Sequence, residues 1–246
     1  RSRSRSRRST HCRREDMAVR PVYTVDSNPD SSALYTVTNP NFKYYCGLAK
    51  IQRQRSYESL HQAYHDICPD VKILEVSTQS ASELGFKLSP FNLTIRMKSG
   101  REVTVESAYQ AGKIFGNGGP YLDLLDGTSM AAKKDARRKT AGPLTGYVFD
   151  DEEFPTEPKT FFYDWLYIHA LIEHPDLSKS ILKYDSFTDI VYNPKKGSAT
   201  QAEACAVYVS LVRRRELKEA LESRENFLRI VFGKDEKGTE ASTESE

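Results

Sequence analysis

The stretch Phe91-Asn-Leu-Thr-Ile-Arg-Met-Lys-Ser-Gly-Arg-Glu-Val-Thr-Val-Glu-Ser-Ala-Tyr-Gln-Ala-Gly-Lys-Ile-Phe115 changes its hydrophobic period part-way along. Residues 91–98 and 101–105 flank Ser99-Gly100, the pattern of two strands joined by a tight hairpin. Residues 106–115 then take helical spacing, which Gly116-Asn-Gly-Gly-Pro120 ends. A hairpin feeding a helix, in a chain with no βαβ rhythm and no internal repeat, points to an α+β fold and away from a Rossmann sheet.

Outward from this stretch the reading stays mixed. Val71-Lys-Ile-Leu-Glu-Val-Ser77 is an apolar run of strand length, and residues 21–25 and 34–37 are short extended segments. Tyr57, Leu60, Tyr64 and Ile67 give residues 56–67 a helical face that Pro69 stops. Residues 131–138 form a short basic helix. Residues 159–173 form a strong one behind Pro158, where a helix start tolerates proline. Residues 176–184, 200–212 and 214–223 complete a helical second half. The expected architecture is a mainly helical, α+β single domain over residues 21–232, with a small β-sheet drawn from residues 71–105.

At 246 residues and 38% hydrophobic content, the chain is long enough to bury a core of its own. The net charge of +2 hides an uneven distribution. Residues 1–20 carry eight Arg against Glu15 and Asp16, while residues 233–246 are acidic, so the part between is nearly neutral. Both ends lack apolar residues to bury and are expected to be disordered tails, the first Arg/Ser-rich and the second acidic. Nucleic-acid binding therefore needs a local patch. The Lys133, Lys134, Arg137, Arg138 cluster is the candidate, with a solvated helix face as the competing reading. No run reaches the roughly 18 to 20 apolar residues of a membrane helix, and no secretory signal opens the chain. Cys12, Cys46, Cys68 and Cys205 lie too far apart for a zinc site or a redox dithiol, which fits an intracellular protein, cytoplasmic or nuclear.

Glu106, Gln110 and Lys113 stand at i, i+4 and i+7 of the expected helix, so all three project from one face. The helix dipole favours the carboxylate in the first turn, and the ammonium follows two turns on. Spacing alone leaves an ordinary surface ion pair equally open. His61 and His65 have metal-pair spacing, but no third ligand stands at a matching position, so a surface helix and no metal are expected. The Gly116–Gly119 segment lacks the Lys-Ser/Thr of a phosphate loop and reads as a helix-ending turn.

Beyond these local readings, residues 73–227 resemble the NADAR family. Val105, Glu106, Gln110 and Lys113 match its Val-Glu-x-x-x-Gln-x-x-Lys helix, and Ser89-Pro-Phe-Asn-Leu93 stands in for its preceding turn. Ala131-Ala-Lys-Lys-Asp-Ala-Arg-Arg138, Pro158-Lys-Thr-Phe-Phe-Tyr-Asp-Trp-Leu-Tyr167, His174-Pro-Asp-Leu177 and Phe187-Thr-Asp-Ile-Val-Tyr-Asn-Pro194 follow in the family's order. Ser59-Leu-His61 and Gly118-Gly-Pro-Tyr-Leu-Asp-Leu-Leu125 are more similar to the NADAR domain of DarG-type antitoxins than to the riboflavin-pathway N-glycosidases.

The resemblance implies hydrolysis of an N-glycosidic bond, releasing ADP-ribose from ADP-ribosylated guanine in DNA or nucleotides, with no cofactor. It assigns Glu106 as the carboxylate beside an oxocarbenium-like sugar and Asp189 as a second acid at the leaving group. Lys113 holds the diphosphate or forms a Schiff base with an opened ribose. Asn92 and Gln110 donate to ribose hydroxyls, and Phe91, Gly118 and Gly119 complete the substrate-binding set. Phe154 and Trp165 are the rings to stack on a base. Each has a plainer reading: Trp165 lies mid-way along an apolar helix, as core residues do, and Asp189 can brace the turn at Asn193-Pro194. A riboflavin-pathway glycosidase and a non-catalytic ADP-ribose reader remain the competing functions.

Overall fold

The structure, a computed structural model, describes residues 16–233 apart from positions 48, 195, 196 and 198. The expected disordered tails lie largely outside these residues. Asp16–Val19, counted with the first tail in the sequence reading, is a strand, β1. It is followed by β2 (Val22–Val25), β3 (Tyr35–Thr38), β4 (Asn41–Tyr44) and the helix α1 (Lys50–His65). Next come β5 (Ile73–Glu75), α2 (Glu83–Lys87), the hairpin β6 (Thr94–Arg96) and β7 (Glu102–Thr104), then α3 (Val105–Ala111) and β8 (Lys113–Phe115). The helix α4 (Ser129–Lys134), β9 (Leu144–Phe149) and β10 (Glu152–Phe154) lead to α5 (Phe161–Ile172), α6 (Pro175–Ser180) and β11 (Ser186–Thr188). The helices α7 (Gln201–Arg213), α8 (Leu217–Glu222) and α9 (Arg224–Phe232) close the described chain. The α+β, mainly helical class is as expected.

The main sheet has four strands in the order β3-β2-β11-β5, with β11 and β5 parallel and the other neighbours antiparallel. Only β5 comes from the 71–105 region, so the sheet expected there is built mostly from elsewhere. Three residues of β11 give too short a run to be read as a strand before its partners are known. Alternation along β2 explains the layering. Val22 packs with Tyr57, Leu60 and Tyr64 of α1, whereas Tyr23 on the other face joins the larger core under α5 and α7. The helix α5 is apolar nearly all round and is correspondingly buried, with Phe161, Phe162, Leu166, Tyr167 and Ile168 each 1% exposed or less. Removing one such large side chain costs about 2 to 5 kcal/mol.

The β6–β7 hairpin forms where it was read, paired Thr94↔Thr104 to Arg96↔Glu102. Gly100 at its tip has φ +83, which a side chain would strain. The following helix is shorter than expected. Thr104 caps α3 by accepting from the Ser107 N–H at 3.2 Å, but α3 ends at Ala111. Residues 113–115, expected to be helical, pair instead with β9, Lys113 opposite Tyr147. At the switch, a Cβ on Gly112 would stand 2.2 Å from the Val148 carbonyl oxygen, so only glycine lets the two backbones meet there.

Candidate active site

Two parallel strands end side by side at β5 and β11, and a cleft of about 290 Å³ opens beyond their carboxyl ends. Crevices at strand carboxyl ends are habitual ligand sites, because several loops converge there. Ser77 and Thr78 follow β5 into the cleft, and Asp189, Val191 and Tyr192 follow β11. The loop after α2 supplies Ser89 and Phe91, α3 supplies Glu106, α4 supplies Lys133 and α5 supplies Tyr163. The α2 loop and α3 are locked together: the Glu106 N–H donates to the Pro90 carbonyl at 2.8 Å and the Val105 N–H to the Leu93 carbonyl at 2.9 Å. This fixes the first turn of α3, and with it Glu106, on the cleft floor.

Glu106 is only 4% exposed, yet it has polar company. Gln110 Nε2 donates to its Oε1 at 2.9 Å, and Lys133 Nζ lies 3.8 Å from the same oxygen. Lys133 also sits over the Phe91 ring, 4.8 Å from its centroid. On the far side of Gln110, its Oε1 accepts from Lys113 Nζ at 3.0 Å and from Arg138. Lys113 and Glu106 are therefore linked through Gln110, as one face of a helix would have linked them. The connection, however, passes from a helix to a strand. Burial lowers the Lys113 ammonium to about 8, with the Arg138 and Lys133 charges adding to the effect and Glu106 opposing it.

Asp189 also lines the cleft. Its Oδ1 accepts from the N–H groups of Val191 at 3.0 Å and Tyr192 at 3.2 Å, and its Oδ2 from Thr200 at 3.2 Å. The bracing role read from the sequence thus coexists with a place in the cleft. Burial raises Asp189 to about 6 against the pull of these donors. Behind it stands Glu75, fully buried, whose Oε1 accepts from Ser77 at 2.6 Å and the Ile190 N–H at 2.9 Å. Its Oε2 accepts from Thr188 at 2.7 Å, and Thr188 Oγ1 lies 2.7 Å from His61 Nε2. Burial and the Asp189 charge push Glu75 up to about 8, although three donors pull the other way. Burial brings His61 down to about 3, so its ring is neutral.

Glu75 was missed in the sequence because its run reads as an apolar strand. The signal was there: a single acid between Leu74 and Val76 is costly to bury unless it is held by partners. His61 is also not the surface residue expected, since it faces Thr188 of the main sheet. Among the described residues, no group of three or more His, Cys, Asp or Glu could hold a metal ion.

Several expected site residues lie elsewhere. Asn92 is exposed, donates to the Phe86 carbonyl at 2.8 Å and faces a separate open groove beside His174. Phe154 is 4% exposed and packs on Phe162, while the Trp165 ring lies 5.3 Å from Phe227, so both belong to the core cluster. Gly118 pairs its backbone with Phe115, and a Cβ on Gly119 would meet the Lys113 carbonyl at 2.3 Å; these glycines shape the turn after β8. Lys113 does not line the cleft; the amine that does is Lys133. The basic cluster is largely engaged within the protein. Arg137 pairs with Asp123 at 2.8 Å and Asp135 at 3.0 Å, Arg138 contacts Gln110, and only Lys134 projects as an exposed charge without such a partner among the described residues.

A family model described as the DarT1-associated NADAR antitoxin matches residues 18–241. The chain belongs to the NADAR family. The match spans every element that builds the cleft, from β2 through α7. NADAR membership carries with it, in general terms, an N-glycosidase-like or antitoxin function. No curated protein matches the chain. Among the described residues, no helix of this NADAR domain is long and apolar enough to cross a membrane.

Proposed function

We propose that this NADAR domain hydrolyses the bond between the anomeric carbon of ADP-ribose and a guanine nitrogen, restoring guanine in DNA or in a nucleotide. The observation that carries this reading is the pair of buried carboxylates, Glu106 and Asp189, lining one cleft in unlike surroundings. Glu106 stabilises the positive charge that develops on the sugar and accepts a proton from the attacking water. The water oxygen bonds to the anomeric carbon, and the electron pair of the breaking bond leaves with the guanine nitrogen. Asp189, raised to about 6 and so partly protonated near neutral pH, donates the proton that nitrogen needs. Lys133, 3.8 Å from Glu106, keeps a positive charge beside it and is the cleft amine available to a sugar aldehyde if the ribose opens. Phe91, Tyr163 and Tyr192 offer aromatic surface for a base.

The test is incubation with an oligodeoxynucleotide carrying ADP-ribosylated guanine, followed chromatographically. Release of free ADP-ribose with recovery of the unmodified strand is expected. Tight binding without release points to a reader, and turnover of small phosphorylated pyrimidines alone points to a riboflavin-type glycosidase.

A further inference from the structure

Along the outer side of α1, cations and aromatic rings are paired repeatedly. Arg20 and Arg53 both stand over the Tyr44 ring, at 5.9 and 5.5 Å from its centroid. Lys43 lies 5.4 Å over Tyr45, and Lys50 lies 5.6 Å over Phe86, itself 40% exposed. Half of the cation–ring contacts among the described residues fall between residues 20 and 86. The Lys133–Phe91 pair at the cleft is a further contact of the same kind.

The two arginines are the unusual members. Among the described residues neither has a carboxylate at ion-pair distance, so two like charges share one ring without a paired counter-ion. Arg20 Nε is buried with no hydrogen-bond partner, and its guanidinium donates only to the Val19 carbonyl, at 2.9 Å. The repulsion between the two guanidinium groups, which the Asp189 charge opposes, is relieved by an anion that the free N–H groups of both can reach. The location is also informative. Val22 pairs with Thr188, so continuing that register sets Arg20 level with residue 190, next in sequence to the cleft residues Asp189 and Val191. Neither arginine lines the cleft itself.

We propose that Arg20 and Arg53, stacked on Tyr44, grip a backbone phosphate of a nucleic-acid strand whose modified base occupies the cleft. Lys43 with Tyr45 and Lys50 with Phe86 continue the track for neighbouring nucleotides. Guanidinium forks match phosphate oxygens two at a time, and exposed rings stack on bases whatever their identity, which is how single strands are held without sequence preference. The near-neutral domain thereby gains a local basic surface distinct from the expected Lys133–Arg138 cluster. The purpose of the surface rests on the hydrolase reading, but its existence does not.

The experiment is fluorescence anisotropy of a short, unmodified, labelled single-stranded oligodeoxynucleotide on the full chain, titrated at several salt concentrations. In Arg20→Gln/Arg53→Gln, affinity should fall roughly tenfold, and the slope of log K against log salt should shrink by about 0.7 for each phosphate no longer neutralised. Affinity for free ADP-ribose should stay as in wild type. Should Arg20→Gln lower the melting temperature, Arg53→Gln and Lys50→Gln on α1 carry the test, with Arg53→Lys expected to restore the salt slope but not the full affinity. Three results would overturn the proposal: no strand binding by wild type, unchanged strand binding in the variants, or loss of ADP-ribose binding with strand binding kept. Because no turnover is measured, failure here leaves the hydrolase reading standing. An inactive enzyme that still binds the strand would sink that reading instead.

Discussion

The two carboxylates that line the cleft are surrounded in opposite ways. Glu106 has an amide and a cation at hand, with Lys113 and Arg138 one step behind Gln110. Asp189 is braced by backbone N–H groups and a hydroxyl, and the charge behind it is another acid, Glu75. Glu106 thus has cations near it, whereas burial favours the protonated form of Asp189. On the proposed reading, these unlike surroundings suit one carboxyl group to act as base and the other as acid. Arg20 and Lys133 are the positive charges that reach Asp189, and Tyr23, Tyr163, Tyr167 and Tyr192 are the phenols that face it.

The most damaging change to this contrast is Glu106→Gln, which keeps size and polarity but removes the charge. Turnover of ADP-ribosylated guanine should drop about 100- to 1,000-fold, equivalent to about 2.7 to 4 kcal/mol. Melting temperature should hardly move, and near wild-type turnover would return Glu106 to a structural role. Next is Asp189→Asn, which keeps an oxygen for the Val191 and Tyr192 N–H groups but cannot donate an acidic proton. A loss of about 100-fold in kcat is expected, recovered in part on substrates whose leaving group needs no protonation. An equal loss on both kinds of substrate would leave Asp189 only as the brace of its turn.

Glu75→Gln sharpens the contrast by removing the acid behind Asp189. The wild-type pair should titrate with apparent values of about 6 and about 8 in the profile of kcat/KM against pH, values that belong to the pair. The variant should keep the transition near 6 and lose the one near 8. Stability follows the same logic. The folded-state pKa of Glu75 lies above its unfolded value, so its contribution is present below about 4.5 and is lost as pH rises through about 8. Thermal melts should then show the variant gaining on wild type at pH 9 relative to pH 5, and parallel curves for the two would refute the assignment. The smallest effect is expected from Lys133→Arg. Arginine preserves the positive charge beside Glu106 but forms no Schiff base at neutral pH, so activity within about tenfold of wild type assigns Lys133 a purely electrostatic role. Collapse to background would mark it as a covalent participant.

Local chemistry made the β6–β7 hairpin readable, since Ser99-Gly100 suits the turn whatever surrounds it. The helices α5 and α7 were readable for a related reason: long apolar runs of helical length have few other ways to bury themselves. Glu106 and Asp189 were readable as acids in family-like motifs, and both reach the cleft. The failures involve residues whose role depends on a distant partner. Residues 113–115 continue a helical pattern, but the Val148 carbonyl approaching Gly112 and the ladder to β9 outweigh the modest propensity of one further turn. Asn92, Phe154 and Trp165 have chemistry suited to a substrate but do not line this cleft, which no spacing along the chain could reveal.

From the sequence alone come the α+β class, the near-neutral domain, the main helices and the acid at the start of α3, because each depends on neighbours within a turn or a hairpin. Tertiary structure alone decided that Lys133 takes the place expected of Lys113 beside Glu106, and that Glu75 stands behind Asp189. It also decided that two arginines from β1's end and α1 meet on Tyr44. Those juxtapositions arise where strands distant in sequence come side by side, and burial there changes the energy of a charge far more than its sequence neighbours do.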